Sequence, residues 1–254
     1  MNTIELKDFE VPDNILEILI KDQTTGKNIV WGTDQYGYGP DECMTFEHVK
    51  EKNPRPRILK SLEDQKSRTD SKAEVFTPFE IIKKMNDSVD KDFDGGYMDY
   101  IKRTVLEITC GEAPYLVSRY DVSTGEKISL ENREGLLDRK MKKVNELVEN
   151  KQCAWWPTMC DALNSTYGYE FQGDSLLLAR INIFKDINDW YNDLTGEDLG
   201  DMGILVARMI TLNIIQMDGL TMTIPFTEIP ALVMDWEKDE MVRFDDQPIE
   251  TPLF

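Results

Sequence analysis

The sequence predicts an α/β protein with a mostly parallel sheet that helices cover on both faces. Short apolar runs alternate along the chain with segments whose apolar residues recur at helical spacing. The strand-like runs lack apolar-polar alternation, which is typical of parallel strands buried on both faces. The chain has 254 residues, of which 41% are hydrophobic and 30% charged. This composition favours one folded domain with a small appendage and argues against wholesale disorder.

The charge balance limits the ligands that the surface can attract. The chain has 29 Lys and Arg residues against 48 Asp and Glu residues, a formal net charge of −19. Such a surface repels polyanions, so duplex DNA should bind only with a partner or through a segregated basic face. The sequence has neither an apolar run of about 18 residues nor a signal-peptide pattern, so we expect a cytoplasmic protein without membrane contact. Four scattered cysteines and one histidine predict neither a zinc site nor a disulfide framework.

Residues 1–70 are predicted to form an irregular N-terminal arm. Gly, Pro and Asp cluster there and favour turns over regular elements. The apolar run at residues 15–20 is read as a short helix or strand. Residues 51–72 carry several Lys and Arg residues and are the nearest approach to a basic segment, although a solvated linker has the same composition. The α/β domain is then expected to occupy residues 71–254.

The first half of this domain is predicted as helix, strand, turn and helix. A helix begins at about Pro78, because apolar residues after it share one face. Residues 105–108 are the first strand, and a tight turn containing Gly111 follows. Pro114 favours the start of a second helix, with Ala113 in an extended backbone as its cap.

The second half continues the alternation of strands and helices. The predicted elements are, in order, a helical insertion at about 123–165 with an amphipathic helix at 134–150, a strand at 168–170, a helix at 174–184, a helix at 202–212, a strand at 213–218 and a fourth short apolar strand at 230–234.

Acidic residues stand at the ends of three successive predicted strands, at Glu107, Glu170 and Asp218. Open parallel sheets bind ligands beyond the carboxyl ends of their strands, where these side chains converge. An acid in the second position can accept bonds from ribose hydroxyls, and one in the third can accept from an adenine amine. Each acid alone is as readily a turn residue or a helix cap, but together they favour a nucleoside-sized site.

The motifs, in this order, resemble those of adenine-N6 DNA methyltransferases of restriction-modification systems. The matching stretches are Ala-Glu-Val-Phe-Thr-Pro at 73–78, the loop at 107–116, the strand at 168–170 with the helix at 177–180, and the strand at 213–220. The resemblance covers roughly residues 70–235. It implies a Rossmann-like methyltransferase core with S-adenosylmethionine as cofactor.

The resemblance implies where the methionine end of this cofactor would lie. Thr77 and Pro78 would wall it, Glu107 would lie near its ammonium group, and Gly111 would let the main chain approach. The same loop contributes Thr109 and Tyr115. The family normally has Asp where this chain has Glu107, and a second glycine where it has Ala113.

The resemblance also implies roles for residues at the nucleoside end of the cofactor and in the catalytic element. Glu170 would hold the ribose, Phe171 would face the adenine ring, and Asp218 would bind the adenine amine. The family's catalytic strand ends in Asn or Asp, two prolines and an aromatic residue. Here Asp235 and Trp236 supply an acceptor and an aromatic ring without the prolines.

Three functions remain open at this level. The first is a DNA adenine-N6 methyltransferase, or one part of a restriction-modification assembly whose second subunit supplies DNA binding. The alternative is a catalytically inactive methyltransferase fold that acts through protein contacts or mimics DNA with its acidic surface. A methyltransferase for a small molecule or a protein is the third. Because the chain ends at Phe254, soon after the fourth strand, we expect a C-terminally truncated sheet with an acidic tail.

Overall fold

The computed structural model of the protein describes residues 2–72 and 77–244. The helices within these ranges are α1 (Asp13–Leu19), α2 (Phe46–Lys52), α3 (Leu62–Lys72), α4 (Phe79–Asp90), α5 (Tyr97–Lys102), α6 (Leu136–Glu149), α7 (Trp155–Asn164), α8 (Gly173–Thr195) and α9 (Met202–Asn213). The strands are β1 (Val105–Glu107), β2 (Thr166–Glu170), β3 (Ile214–Gln216), β4 (Leu232–Asp235) and β5 (Glu240–Arg243).

The first three strands form a parallel sheet in the order β1-β2-β3. Val105 pairs with Thr166, and Gly168 pairs with Ile214. Every residue of the three strands is buried, which explains why their sequences do not alternate between apolar and polar. The predicted α/β class with a parallel sheet is confirmed.

The fourth apolar run does not join this sheet as a parallel strand. It forms β4, which pairs antiparallel with β5 in a hairpin of its own. Apolar side chains of the hairpin pack on one face of the sheet against Leu106, Tyr167 and Tyr169. The opposite face belongs to the main core, to which α1, α8 and α9 contribute.

The helix predicted after Pro114 is absent, and this part of the loop is a turn. Ala113 has φ +62°, so it is not the extended cap that we expected. The carbonyls of Tyr115 and Leu116 accept from the N–H groups of Leu136 and Leu137, at 2.8 and 2.9 Å. These carbonyls are therefore used by the start of α6, which occupies the predicted 134–150 segment.

The N-terminal segment is not a loose arm, since it carries helices and contributes to the main core. Leu19, Trp31 and Met44 are fully buried there. The buried guanidinium of Arg180 on α8 donates to the carbonyls of Leu19 (2.6 Å) and Lys21 (2.8 Å). The Gly, Pro and Asp residues that suggested an irregular arm lie in the connections between these buried positions.

Within the described ranges, no helix combines the length and the apolar character that crossing a membrane requires.

Candidate functional site

Glu107 ends β1 with its side chain buried beneath the loop that follows. Its Oε1 accepts from the N–H of Tyr115 at 3.4 Å, and Oε2 has no hydrogen-bond partner among the described residues. Burial raises the pKa of this carboxyl well above 4.5, and the negative charge of Glu170 adds to the rise. The N–H groups of Tyr115 and Leu116 oppose it. In the part of the chain that the structure describes, Glu107 therefore has no positively charged partner.

Glu170 ends β2 and lies close enough to Glu107 for their charges to interact. Its Oε2 accepts from the N–H of Gly111 at 2.9 Å, and its Oε1 accepts from the N–H of Gln172 at 2.9 Å. The two carboxyl groups are thus brought to one edge of the sheet, as expected of adjacent parallel strands.

The loop after β1 is open at Gly111. Three of its residues, Thr109, Gly111 and Ala113, have φ between +50° and +62°. A side chain built on Gly111 would meet no atom of the described residues within 4 Å, so the main chain borders open space there. Ala113 adopts the left-handed backbone that a glycine adopts freely and an alanine rarely adopts.

The predicted methionine-end residues lie beside this loop. The hydroxyl of Tyr115 donates to Thr77 Oγ1 at 3.3 Å and also contacts Met85 Sδ at 3.2 Å. Pro78 is the cap residue of α4. Residues 73–76, the first part of this motif, lie outside the described residues. Thr77 is therefore linked through Tyr115 to the carboxyl group of Glu107.

The two residues predicted at the nucleoside end, Asp218 and Phe171, already contact other residues of the chain. Asp218 follows β3 at the same edge, and its Oδ1 accepts from the N–H of Leu220 at 2.8 Å in its own turn. Phe171 is half-buried, and its ring packs edge-to-face on Phe226 with 5.4 Å between centroids. Thus the carboxylate of Asp218 already serves a turn, which is the alternative interpretation of that acid.

A main-chain segment around Val30 crosses the ends of β2 and β3. The side-chain amide of Gln216 accepts from Val30 N at 2.8 Å and donates to Val30 O at 2.9 Å and to Phe171 O at 2.9 Å. Gly173 N donates to the carbonyl of Trp31 at 2.9 Å, and a side chain on Gly173 would lie 1.9 Å from the carbonyl oxygen of Val30. The N-terminal segment is therefore part of the wall around the predicted nucleoside end.

Asp235 and Trp236 do not lie with the other predicted site residues. Trp236 Nε1 donates to Asn213 Oδ1 at 2.8 Å, and Asn213 Nδ2 donates to the carbonyl of Thr166, the first residue of β2. Asp235 Oδ1 accepts from the N–H of Lys238 at 3.1 Å, within the β4-β5 turn. Both residues are thus at the amino ends of the parallel strands, about 13 Å along the sheet from its carboxyl edge.

This position follows from the direction of β4. A parallel fourth strand would deliver its last residues to the carboxyl edge, whereas β4 runs the other way across the face of the sheet. Tyr167, near the start of β2, donates through its hydroxyl to the carbonyl of Met234 at 3.1 Å. Asp235 is therefore a turn residue and Trp236 an edge-packing residue, so the predicted catalytic pair does not lie at the carboxyl edge.

Sequence reasoning missed two residues at the carboxyl edge. Gln216 is the single polar residue between Ile214 and Met217, and a buried amide in an apolar strand signals a specific hydrogen-bond partner. Phe226 lies in the loop before β4 with its ring 52% exposed. No periodic pattern marks an exposed loop residue of this kind.

No family model, no curated protein and no solved structure matches the chain.

Proposed function

We propose that the chain binds S-adenosylmethionine at the carboxyl ends of β1 and β2. In this proposal it is the cofactor-binding part of a DNA adenine-N6 methyltransferase of the restriction-modification kind. A partner supplies DNA recognition and the groups that hold the target base. The observation that carries the proposal is that Oε2 of Glu107 is buried, without a hydrogen-bond partner among the described residues, beside the open main chain at Gly111.

These residues fit the amino-acid end of such a cofactor. A buried carboxylate is stable when a positive group pairs with it, and the ammonium of a methionine moiety is such a group. Thr77 and Tyr115 add hydroxyl groups at the same place. Glu170 lies next to Glu107, and a carboxylate is the kind of acceptor to which ribose hydroxyls donate.

The chain's own residues would bind and orient the donor. Glu107 would hold the ammonium, the loop at Gly111 would allow close approach, and Glu170 would fix the ribose. When bound, the cofactor supplies an electrophilic sulfonium methyl group. The position of Asp235 and Trp236 at the far edge supports an acceptor site built from other groups, which is why the proposal includes a partner.

The same position favours a second candidate, a catalytically inactive methyltransferase-like fold. Asp235 and Trp236 are fully engaged in local contacts, as residues without a catalytic role would be. A net charge of −19 suits a protein that acts through contacts with basic partners or by mimicking DNA. Both candidates permit cofactor binding, but methyl transfer distinguishes them.

Calorimetric titration of the purified chain with S-adenosylmethionine tests the proposal. We expect binding with release of a proton at pH values below the raised pKa of Glu107, because an ammonium beside Glu107 lowers that pKa. Repeating the titration in buffers of different ionisation enthalpy measures that proton. Glu107→Gln should weaken binding about 10- to 100-fold, which is about 1.5–3 kcal/mol for a hydrogen bond to a charged group, and should abolish the proton release.

Glu149→Gln is a matched control, because Glu149 is exposed at the end of α6 and far from β1 in the fold. It should bind as the wild type does. Absence of binding at millimolar cofactor would refute the proposal. Binding without transfer of labelled methyl groups to adenine, when DNA and the partner are present, would favour the inactive fold.

A further inference from the structure

Two buried aspartates from different helices are in contact with each other in the core. Asp138 lies in the first turn of α6 and Asp186 lies within α8, and both are fully buried. Oδ1 of Asp138 and Oδ2 of Asp186 accept from no N–H or O–H group of the described residues. The two side chains are nevertheless hydrogen-bonded to each other. Because two ionised carboxylates offer only acceptors, this hydrogen bond requires a proton on one of them.

The surroundings of the pair assign this proton to Asp186. Oδ2 of Asp138 accepts from the N–H of Ser118 (2.7 Å), from the hydroxyl of Ser118 (2.9 Å) and from the N–H of Gly135 (2.8 Å). Three donors at the start of a helix suit a negative charge. Burial raises the pKa of Asp186 well above 3.8, and the negative charge of Asp138 adds to the rise.

Among the described residues, the charged groups that face this pair are Arg133, Asp189 and Arg119. Arg133 donates through Nη1 to Asp186 Oδ1 at 2.6 Å and through Nη2 to Asp189 Oδ2 at 2.8 Å. Arg119 Nε lies 3.6 Å from the same oxygen of Asp189. The charge of Arg133 lowers the pKa of Asp186 and the charge of Asp189 raises it, but burial and Asp138 outweigh the arginine. Asp186 therefore keeps its proton although an arginine contacts it.

The pair is connected to the candidate site through the loop that follows β1. Asp138 holds Ser118 by two hydrogen bonds, and Ser118 follows Tyr115 by three residues. The N–H of Tyr115 in turn donates to Oε1 of Glu107. A movement of Asp138 away from Asp186 would therefore displace the segment that covers Glu107.

We infer that the proton shared by Asp138 and Asp186 holds the loop after β1 in place, and that its loss at alkaline pH releases the loop and weakens ligand binding at Glu107. Once Asp186 ionises, two negative charges face each other in a buried place and repel. Asp186 is thus a positioning residue, which acts through Asp138 and Ser118. The effect on ligand binding rests on the proposed function, whereas the effect on the loop does not.

Asp186→Asn tests the inference, because an asparagine amide can donate to Asp138 Oδ1 as the protonated acid does, but does not titrate. Binding of S-adenosylmethionine to the full chain is measured by calorimetry from neutral to alkaline pH. As pH rises, the wild type should lose about tenfold in affinity relative to Asp186→Asn, a usual size for the coupling between two sites. The ratio of the two affinities cancels the titration of Glu107, which both proteins share. Asp193→Asn, an exposed change on the same helix, should follow the wild type at every pH.

Hydrogen exchange of the Ser118 N–H, followed by NMR, reports on the loop without a ligand. Its protection should fall with rising pH in the wild type relative to Asp186→Asn, and equal protection in both proteins at every pH would overturn the inference. Parallel affinity curves in proteins that bind S-adenosylmethionine would overturn it too and leave the cofactor site intact. A wild type that binds no S-adenosylmethionine would overturn the proposed function together with the effect on binding, while pH-dependent protection of Ser118 would still support the shared proton. An Asp186→Asn chain that does not fold would contradict the shared proton, because the amide can form the same hydrogen bonds.

Discussion

The carboxyl group of Glu107 opposes the stability of the fold that contains it. A buried acid with one unpartnered oxygen is stable only as the neutral form, so ionising it in the folded state is unfavourable. Its pKa is raised above 4.5, first by burial and then by the charge of Glu170. Residues that destabilise a fold in this way commonly serve binding or catalysis.

This arrangement predicts a pH-dependent stability. Between pH 4.5 and the raised pKa of Glu107, the folded state binds more protons than the unfolded state, so stability falls as pH rises through that window. Glu107→Gln removes the ionisable group and therefore this dependence of stability on pH. Urea unfolding at several pH values should show the variant to be more stable than the wild type near pH 8, with a smaller gain in the free energy of unfolding near pH 5. An equal gain at both pH values would contradict the raised pKa.

Single residues were predictable where strand geometry determines their position. Glu107 and Glu170 were found because the acids after adjacent parallel strands must lie at one edge. Ala113 was assigned the wrong backbone, because the local preference before proline was overruled by the bonds of α6 to this turn. Phe226 could not be found, since neither exposure nor positive φ can be read from sequence.

At the scale of elements, α3 is fastened to the start of α8 by a buried ion cluster. Asp174 Oδ2 accepts from Arg68 (2.7 Å), from Lys60 (2.9 Å) and from the hydroxyl of Tyr36 (2.9 Å). Burial alone would raise the pKa of Asp174, but the attraction of Lys60 and Arg68 outweighs it and holds the pKa well below 3.8. The segment that precedes Thr77 is therefore tied to the helix that follows Glu170.

Asp174→Asn should destabilise the fold strongly, because it removes the buried negative charge that pairs with Arg68 and Lys60. The expected loss is about 3–5 kcal/mol at pH 7, measured by urea unfolding. The wild type gains stability from this carboxylate above pH 3.8 and loses it as pH falls towards the lowered pKa. The difference in the free energy of unfolding between the wild type and Asp174→Asn should therefore become smaller at acidic pH. Glu63→Gln, an exposed change on α3, should have little effect at either pH. A difference between Asp174→Asn and wild type that stays constant down to pH 2 would count against the ion cluster.

The helices and strands themselves were largely predictable from the sequence, but the pairing of the strands was not. Apolar runs correctly marked β1, β2, β3 and β4, because burial on both faces removes alternation. The direction of β4 depends on its hairpin with β5, whose pairing is not encoded in the run itself. For the same reason Asp235 and Trp236 were placed at the wrong edge.

At the scale of the whole molecule, the net charge of −19 governs what the chain can approach. Two basic residues of the N-terminal segment, Lys60 and Arg68, pair with Asp174 and are therefore not available to neutralise phosphate groups. Long-range repulsion therefore opposes the association of this surface with nucleic acid. This supports the expectation that DNA recognition requires a second subunit.

The chain alone should bind duplex DNA more weakly than about 100 μM at about 0.15 M salt. Fluorescence anisotropy of a labelled duplex measures this directly. Lowering the salt should strengthen binding only slightly, because few phosphates are neutralised. Micromolar binding with a steep salt dependence would instead reveal a segregated basic face and remove the need for a partner.

The side-chain amide of Gln216 forms the pair of hydrogen bonds with Val30 that a peptide group of an adjacent strand would form, although the two residues are 186 positions apart. During synthesis, the chain around Trp31 leaves the ribosome before the strand that receives it exists. At 5–20 residues per second, that delay is roughly 10–40 s, far longer than the collapse of a small domain. The packing around the fully buried Trp31 is therefore completed only after this delay, and part of its apolar surface is exposed in the nascent chain.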